Sequence, residues 1–368
     1  MHPFYFDYNA TTPVHGDILS KISELAKEFG NPSSLHRYGR ASQNILETAR
    51  MEILDDFKGY KLAFTSSGTE ANHLAFQFLR DREVTSKDTI LLSSIEHPCI
   101  EKQMTGLQKM GYNVVRIPVF KSGVVDLDFI SDHINDNTQM VTVMGANNET
   151  GVLQPILKIA DLCRKKGIYF HCDMSQIPGK FELDMSDLDI DSITLSAHKF
   201  YGVKGVGALL YKTKPTSIFR GGLQENGLRA GTENMIGIQI MGTAYKIVRQ
   251  NRKDWILSLS ELRDYFESLL DEKIIRVGNL ANNRIANTSS ILLPNNPNDR
   301  SVLYLDSKGY LVSRGAACHS GVWEPSPVLM AMGYSREEAD TGIRVSFGIY
   351  NTKSQVEELA YTLNEMIL

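Results

Sequence analysis

The chain has 368 residues, 42% of them hydrophobic and 22% charged, with a formal net charge of -4. That is enough apolar material for a large core built as two domains, and without a block of like charges it excludes a nucleic-acid surface and points to small-molecule and protein partners. Met1-His2-Pro3-Phe4 lacks a basic leader with an apolar core and no apolar run approaches the roughly 20 residues of a spanning helix, so the expectation is a cytoplasmic protein.

An extended piece around residues 5–12 comes first, too short to stand alone and expected to pack with the smaller domain. Seven strand-length apolar runs follow: Lys61–Thr65, Thr89–Ser93, 113–119, 139–144, 168–172, Ser192–Ser196 and Gly207–Tyr211. Between them lie helical patterns that stop at glycine, as in 99–110 before Gly111 and 155–166 before Gly167. Continuous Val/Ile/Leu runs alternating with helices predict an α/β fold, a mostly parallel seven-stranded sheet sandwiched by helices. From about Asn251 the texture changes to a helical stretch over 255–270, a polar loop over 282–290 and a short mixed region. The expected division is a large domain over 15–250 and a small α+β domain formed by 1–14 and 251–368.

In an open parallel sheet a ligand lies beyond the carboxyl ends of the strands. Four sequence features fall there. Ser66-Ser67-Gly68-Thr69-Glu70-Ala71-Asn72 is a small-residue turn opening a helix, suited to an anion such as phosphate. Glu96-His97-Pro98 places an imidazole able to lie over an aromatic ring or move a proton. Asp173, followed by Gln176, suits a protonated pyridine nitrogen. At about 4 Å such a pair is worth roughly 4 kcal/mol in a sheltered site against about 1 in bulk water, so the acid has to be buried to hold the proton. Lys199, in Ser196-Ala197-His198-Lys199-Phe200-Tyr201-Gly202, sits where desolvation favours the neutral amine that adds to an aldehyde. Each alone also fits an ordinary strand end: an N-cap, a capping Asp, a loop His, a snorkelling Lys.

Four cysteines, Cys99, Cys163, Cys172 and Cys318, show neither zinc-site nor redox-pair spacing, and no metal site is expected. Cys163 and Cys172 lie in apolar patterns and read as buried. Cys318 differs, lying in Ser313-Arg314-Gly315-Ala316-Ala317-Cys318-His319-Ser320-Gly321, which reads as a surface loop presenting a usable thiol.

The order of Asp7-Tyr8-Asn9-Ala10-Thr11-Thr12-Pro13, Gly30-Asn31-Pro32-Ser33-Ser34, the turn from Thr65 to Asn72, Glu96-His97-Pro98, Asn147-Asn148-Glu149-Thr150-Gly151, the stretch from His171 to Gln176, Ser196 to Gly202, Arg229-Ala230-Gly231-Thr232-Glu233-Asn234 and Arg314 to Ser320 closely resembles the cysteine desulfurases. These are fold-type I pyridoxal-phosphate enzymes related to class V aminotransferases. The resemblance implies pyridoxal 5'-phosphate as cofactor, Lys199 as its Schiff-base lysine, His97 stacked on its ring, Asp173 on the pyridine nitrogen, and Gln176 with Asn148 near the phenolic oxygen and substrate. Gly68, Thr69, Ser196 and His198 would cradle the phosphate, and Thr232 would reach the phosphate of a second protomer in a homodimer. Arg344, in Ile343-Arg344-Val345-Ser346, would take the carboxylate of L-cysteine, with Asn31 on the substrate side.

The reaction so implied gives L-alanine and a persulfide on Cys318, passed to an acceptor protein, as in iron–sulfur cluster assembly. Ser67-Gly68 stands where the family more often has Gly-Ala, Tyr8 where it has Asn, Arg314 for Ser and His319 for Thr, none removing a needed group. The run Val322-Trp323-Glu324-Pro325-Ser326 resembles the longer-loop members, which favours delivery to a protein, whereas the segment after Arg344 is shorter than in housekeeping members and leaves the acceptor open among a cluster scaffold, a tRNA-thiolating enzyme and a DNA-phosphorothioation component. A selenocysteine lyase or a class V aminotransferase acting on another amino acid would reuse the same cradle.

Overall fold

Val, Ile, Leu and Phe fill the strand runs on both sides of the chain, so each run needs cover on both faces and becomes the middle layer of a sandwich. The structure, a computed structural model, describes residues 4–81, 83–84, 87–184, 188–279, 283–314 and 324–367. Seven strands form the larger sheet: β1 (Lys61–Thr65), β2 (Thr89–Ser93), β3 (Asn113–Ile117), β4 (Thr138–Thr142), β5 (Tyr169–Asp173), β6 (Ser192–Ser196) and β7 (Gly207–Tyr211). Their order is β1-β7-β6-β5-β4-β2-β3. The run β6-β5-β4-β2-β3 is parallel throughout, while β7 lies antiparallel to both β6 and β1. All five residues of β2, β6 and β7 are buried, as a sheet covered on both faces requires, and the edge strand β3 is the most open, with Asn113 and Arg116 exposed.

Because β7 alone runs backwards, the carboxyl ends of β1, β2, β4, β5 and β6 share one edge. The amino end of β7 joins them there, Gly207 pairing with both Thr65 and Ser196. A Cβ on Gly207 would lie 2.5 Å from the Ser67 carbonyl carbon, so the close approach of β7 to the turn after β1 requires glycine.

A second, three-stranded antiparallel sheet contains β8 (Ile275–Val277), β9 (Thr288–Leu292) and β10 (Gly342–Ser346), with β9 in the centre. This corrects the polar loop expected over 282–290. Thr288, Ser289 and Ser290 are buried and pair with β10, Ser290 also with β8, and the Ser289 hydroxyl donates to Glu267 Oε1 at 2.8 Å, so polar residues occupy a central strand by satisfying their groups inside it. Phe6, Phe266, Ile291, Val345, Phe347 and Leu359 cluster around this sheet, separately from the core of the large one. The amino-terminal segment joins it: Phe6 N donates to Leu311 O at 2.8 Å and Ser346 N to Phe6 O at 2.8 Å.

The helical stretch expected over 255–270 is the last part of one continuous helix, Met235–Leu269, capped by the Asn234 side chain. No glycine or proline interrupts the sequence near 251, so nothing breaks the helix where the texture changes. We propose that this helix carries the chain from the unit over 15–250 into the unit formed by 1–14 and 251–368. Among the described residues no helix is long and apolar enough to cross a membrane.

Candidate active site

Lys199 ends a short 3-10 turn, Ala197–Lys199, that follows β6 directly. Its Nζ donates to the carbonyl of Asn9 at 2.6 Å and that of Ala10 at 2.9 Å. Burial, followed by the positive Arg344 nearby, pulls the amine down to about 8, close enough to neutral pH for an appreciable share to be unprotonated.

Asp173 ends β5 one strand away and is 9% exposed. Its Oδ2 accepts from Asn72 Nδ2 at 2.8 Å and its Oδ1 from Ser175 N at 2.9 Å. Behind it, His171 Nε2 lies 2.9 Å from Asn72 Oδ1 and its Nδ1 2.8 Å from Ser192 Oγ. Asn72 uses its amide nitrogen on Asp173, so its oxygen must accept from His171 Nε2–H, which fixes the tautomer with Nδ1 accepting from Ser192. Full burial lowers this imidazole to about 4 and keeps it neutral. Cys99, reached by Asn72 Nδ2 at 3.1 Å and hydrogen-bonded by Thr69, is pushed up to about 12 by burial and is no nucleophile.

The turn after β1 is held by its own cap: Ser67 Oγ accepts from Glu70 N at 3.1 Å and starts helix Gly68–Arg80. A Cβ on Gly68 would lie 3.1 Å from Ser196 Cβ and 3.5 Å from Ser175 Oγ, so the turn and the end of β6 close to within a methyl group. The turn that carries Thr69 and the strand end that carries Ser196 thus lie side by side. His198 Nδ1 lies 3.1 Å from Thr11 Oγ1, and burial lowers its ring to about 4. His97 is exposed and caps helix Pro98–Lys109, its Nδ1 accepting from Cys99 N at 3.2 Å.

Arg344, on β10, comes in from the small sheet. It is 2% exposed; its Nη1 donates to Asn148 O at 3.0 Å and its Nη2 pairs with Asp7 Oδ1 at 2.5 Å. Gln176 Nε2 donates to Asn9 O at 3.0 Å, the carbonyl that also receives Lys199. Lys199, Gln176, Asn148 and Arg344 are thus linked to one another or to the same Asn9, while Asp173 is held separately by Asn72 and Ser175. Asn31 is not brought into this set: it is exposed, and its Oδ1 accepts from Ser33 N at 2.9 Å. Thr232 is exposed on the loop before helix Met235–Leu269, lining a cavity of about 200 Å³ with Thr65, Ser66 and Arg229. Cys318 lies outside the described residues.

Sequence reasoning missed the supports. Asn72 and His171 stood inside quoted motifs, and the available signal was a polar residue on a buried helix face or strand. Asn9 is fully buried, with Asn148 O, Thr288 Oγ1, Asn287, Lys180, Gln176 and Lys199 around it. Glu96 was read only as the neighbour of His97; its Oε1 accepts from Met144 N at 2.7 Å and burial pushes its carboxyl up to about 8.

These residues fit an aldehyde cofactor with an anionic tail: a lysine of lowered basicity, a sheltered carboxylate and a hydroxyl-lined turn that one extra methyl would fill. The sequence pattern of the family Aminotransferase class-V matches residues 4–359. The chain is 37% identical over 367 residues to cysteine desulfurase IscS of Dictyoglomus turgidum, covering 98% of this chain and 92% of that relative. A NifS-like protein of solved structure superposes with a TM-score of 0.92 at 29% identity, covering 99% of each chain. The structure of SspA in complex with cysteine superposes with a TM-score of 0.79 at 29% identity, covering 95% of this chain and all of that one, or 100%.

Proposed function

The chain belongs to the class-V aminotransferase family, and we propose that within it the chain works as a cysteine desulfurase, releasing L-alanine and leaving the sulfur as a persulfide on Cys318 for an acceptor protein. The observation that carries this reading is the meeting of Lys199 and Asp173 at one sheet edge with Arg344, brought in by the small sheet. Enzymes of this family use pyridoxal 5'-phosphate, which when bound supplies the aldehyde that captures the amino group and the protonated ring that draws electrons from Cα.

The chain supplies the rest. Asp173, oriented by Asn72 and Ser175, would hold a proton on the ring nitrogen. Thr69, Gly68, Ser196 and His198 would hold the phosphate, His97 would cover the ring face, and Gln176 and Asn148 would border the phenolic oxygen and the substrate. Lys199 Nζ takes the Cα proton from cysteine, for which a neutral amine is needed. The Arg344 guanidinium takes the carboxylate in a bidentate grip. The Cys318 thiolate then attacks the substrate sulfur: an S–S bond forms, the carbon–sulfur bond breaks, and the carbon gains the proton that completes alanine. Atoms balance as cysteine plus thiol giving alanine plus persulfide.

Exposed Phe219 and Leu223, on the chain leading to the Thr232 loop, support a homodimer in which Thr232 of one protomer reaches the phosphate of the other. The free thiols of Cys99, Cys163 and Cys172 suit a reducing cytoplasm.

The test is the visible spectrum of protein loaded with pyridoxal 5'-phosphate, recorded as L-cysteine and a reductant are added, with alanine and sulfide assayed in the same tube. A shifting band with equal alanine and sulfide is expected. A band that shifts without sulfide would mean another amino-acid substrate and would overturn the desulfurase reading.

A further inference from the structure

Lys180 is a buried amine that the reaction above does not use. It is 4% exposed, in the turn that follows β5. Its Nζ donates to Gln176 Oε1 and, at 3.3 Å, to Asn9 Oδ1, two neutral oxygens. The turn is pinned on its far side, where Lys180 O accepts from Ala286 N at 2.9 Å. A buried lysine without a carboxylate partner has a desolvation penalty to meet, so its retention calls for a reason. Burial, then the charges of Lys199 and Arg344, holds this amine well below the ordinary lysine range, and a neutral amine has the two N–H bonds these two oxygens accept.

The two oxygens belong to amides, and an amide that gives its oxygen to Lys180 must turn its nitrogen the other way. Gln176 Nε2 thereby faces Asn9 O, 3.0 Å away, beside Lys199 Nζ. Asn9 Nδ2 faces Asn148 O at 3.1 Å and Thr288 Oγ1 at 2.8 Å, while its Oδ1 also receives Asn287 Nδ2 at 3.1 Å. Asn148 O is also the acceptor for Arg344. One amine thus orders a chain of donors running from the Schiff-base side of the site to the carboxylate side.

We propose that Lys180 is a positioning residue of this site, setting the orientation of the Gln176 and Asn9 amides and through them the donors presented to the cofactor ring and to the Arg344 side. The proposal rests on the cysteine desulfurase reading of the site. Among the described residues the charged and titratable groups that act on Lys180 are Lys199, Arg344 and the half-buried His198, and its Nζ is hydrogen-bonded to amide oxygens and to no carboxylate.

The test uses the loaded enzyme and the variant Lys180→Met, which keeps the length and loses the donors. Without Lys180 the Gln176 amide is free to turn its oxygen toward the ring, so the pH midpoint of the visible band moves away from the wild-type value and kcat falls by about tenfold with KM for cysteine little changed. Gln176→Glu keeps the acceptor for Lys180 and removes the Nε2 donor, so it reproduces the spectral change, and the double variant is no worse than the more severe single one. Lys180→Gln, with a shorter donor, is read in the same way where Lys180→Met does not accumulate as folded protein. Additive losses, or a lowered melting temperature with an unchanged band midpoint and unchanged kcat, would overturn the proposal and make Lys180 a purely structural residue. A wild-type enzyme that loads but releases no sulfide would instead sink the desulfurase reading itself.

Discussion

Glu96 offers a stability measurement whose sign is fixed by the structure. Its Oε1 accepts from Met144 N at 2.7 Å, and its Oε2 is buried with no hydrogen-bond partner among the described residues. Burial raises the carboxyl from 4.5 to about 8, with the nearby Asp173 and Glu101 charges adding to the rise. Between those values the folded chain keeps the proton while the unfolded chain gives it up, so stability is fully present below 4.5 and is lost as pH rises toward 8. Over the span from 4.5 to pH 7, at about 1.4 kcal/mol per unit, the loss is on the order of 3 kcal/mol. Glu96→Gln keeps the acceptor for Met144 and cannot ionise. Urea midpoints for both proteins should therefore be similar near pH 5 and diverge toward pH 8, with the variant the more stable. Parallel midpoints across that range would refute the buried neutral carboxyl.

Glu225 sits at φ 48° with its carboxylate on Arg50 at 2.9 and 3.0 Å and on Phe64 N at 2.9 Å, so Glu225→Ala leaves the part-buried Arg50 with only Glu47 and Leu62 O and the Phe64 N–H without its acceptor, and should cost about 1–3 kcal/mol in urea unfolding. Arg344→Lys exchanges a planar fork for a point charge and should raise KM for cysteine on the order of a hundredfold while leaving the cofactor band in place; unchanged KM would remove Arg344 from carboxylate binding. Because Lys199 is lowered to about 8, its capture of pyridoxal 5'-phosphate by the cofactor-free protein should speed up about tenfold per pH unit below that value and level off above it, as followed by the growth of the visible band. A rate still climbing steeply at pH 10 would mean that burial does not lower this amine.

The large sheet was legible in the sequence because fully buried parallel strands leave unbroken apolar runs; five of the seven start at the expected residue and the other two within one residue of it. The small sheet was not, because β9 opens with Thr288, Ser289 and Ser290, a polar run that imitates a loop although the hydroxyls of Thr288 and Ser289 find partners inside the fold. Lys199 and Asp173 could be placed at strand ends from local sequence alone. The residues that aim them could not: Asn9 meets Thr288 and Lys180 across separations of 279 and 171 positions, contacts that no local pattern encodes. Arg344 was legible only through its motif: nothing local shows that it lies within β10 and is buried, because its guanidinium partners there, Asp7 and Asn148 O, are far away in the chain.

The central claim concerns Cys318 as the atom that leaves with the sulfur. Loaded protein mixed with L-cysteine, without reductant or acceptor, and analysed by mass spectrometry of the peptide containing Cys318 tests it directly. The account predicts one added sulfur on that peptide, matched by one alanine per site and absent in Cys318→Ser, whose cofactor band still shifts with cysteine. Alanine formed with the Cys318 peptide unmodified, or undiminished turnover in Cys318→Ser, would contradict it.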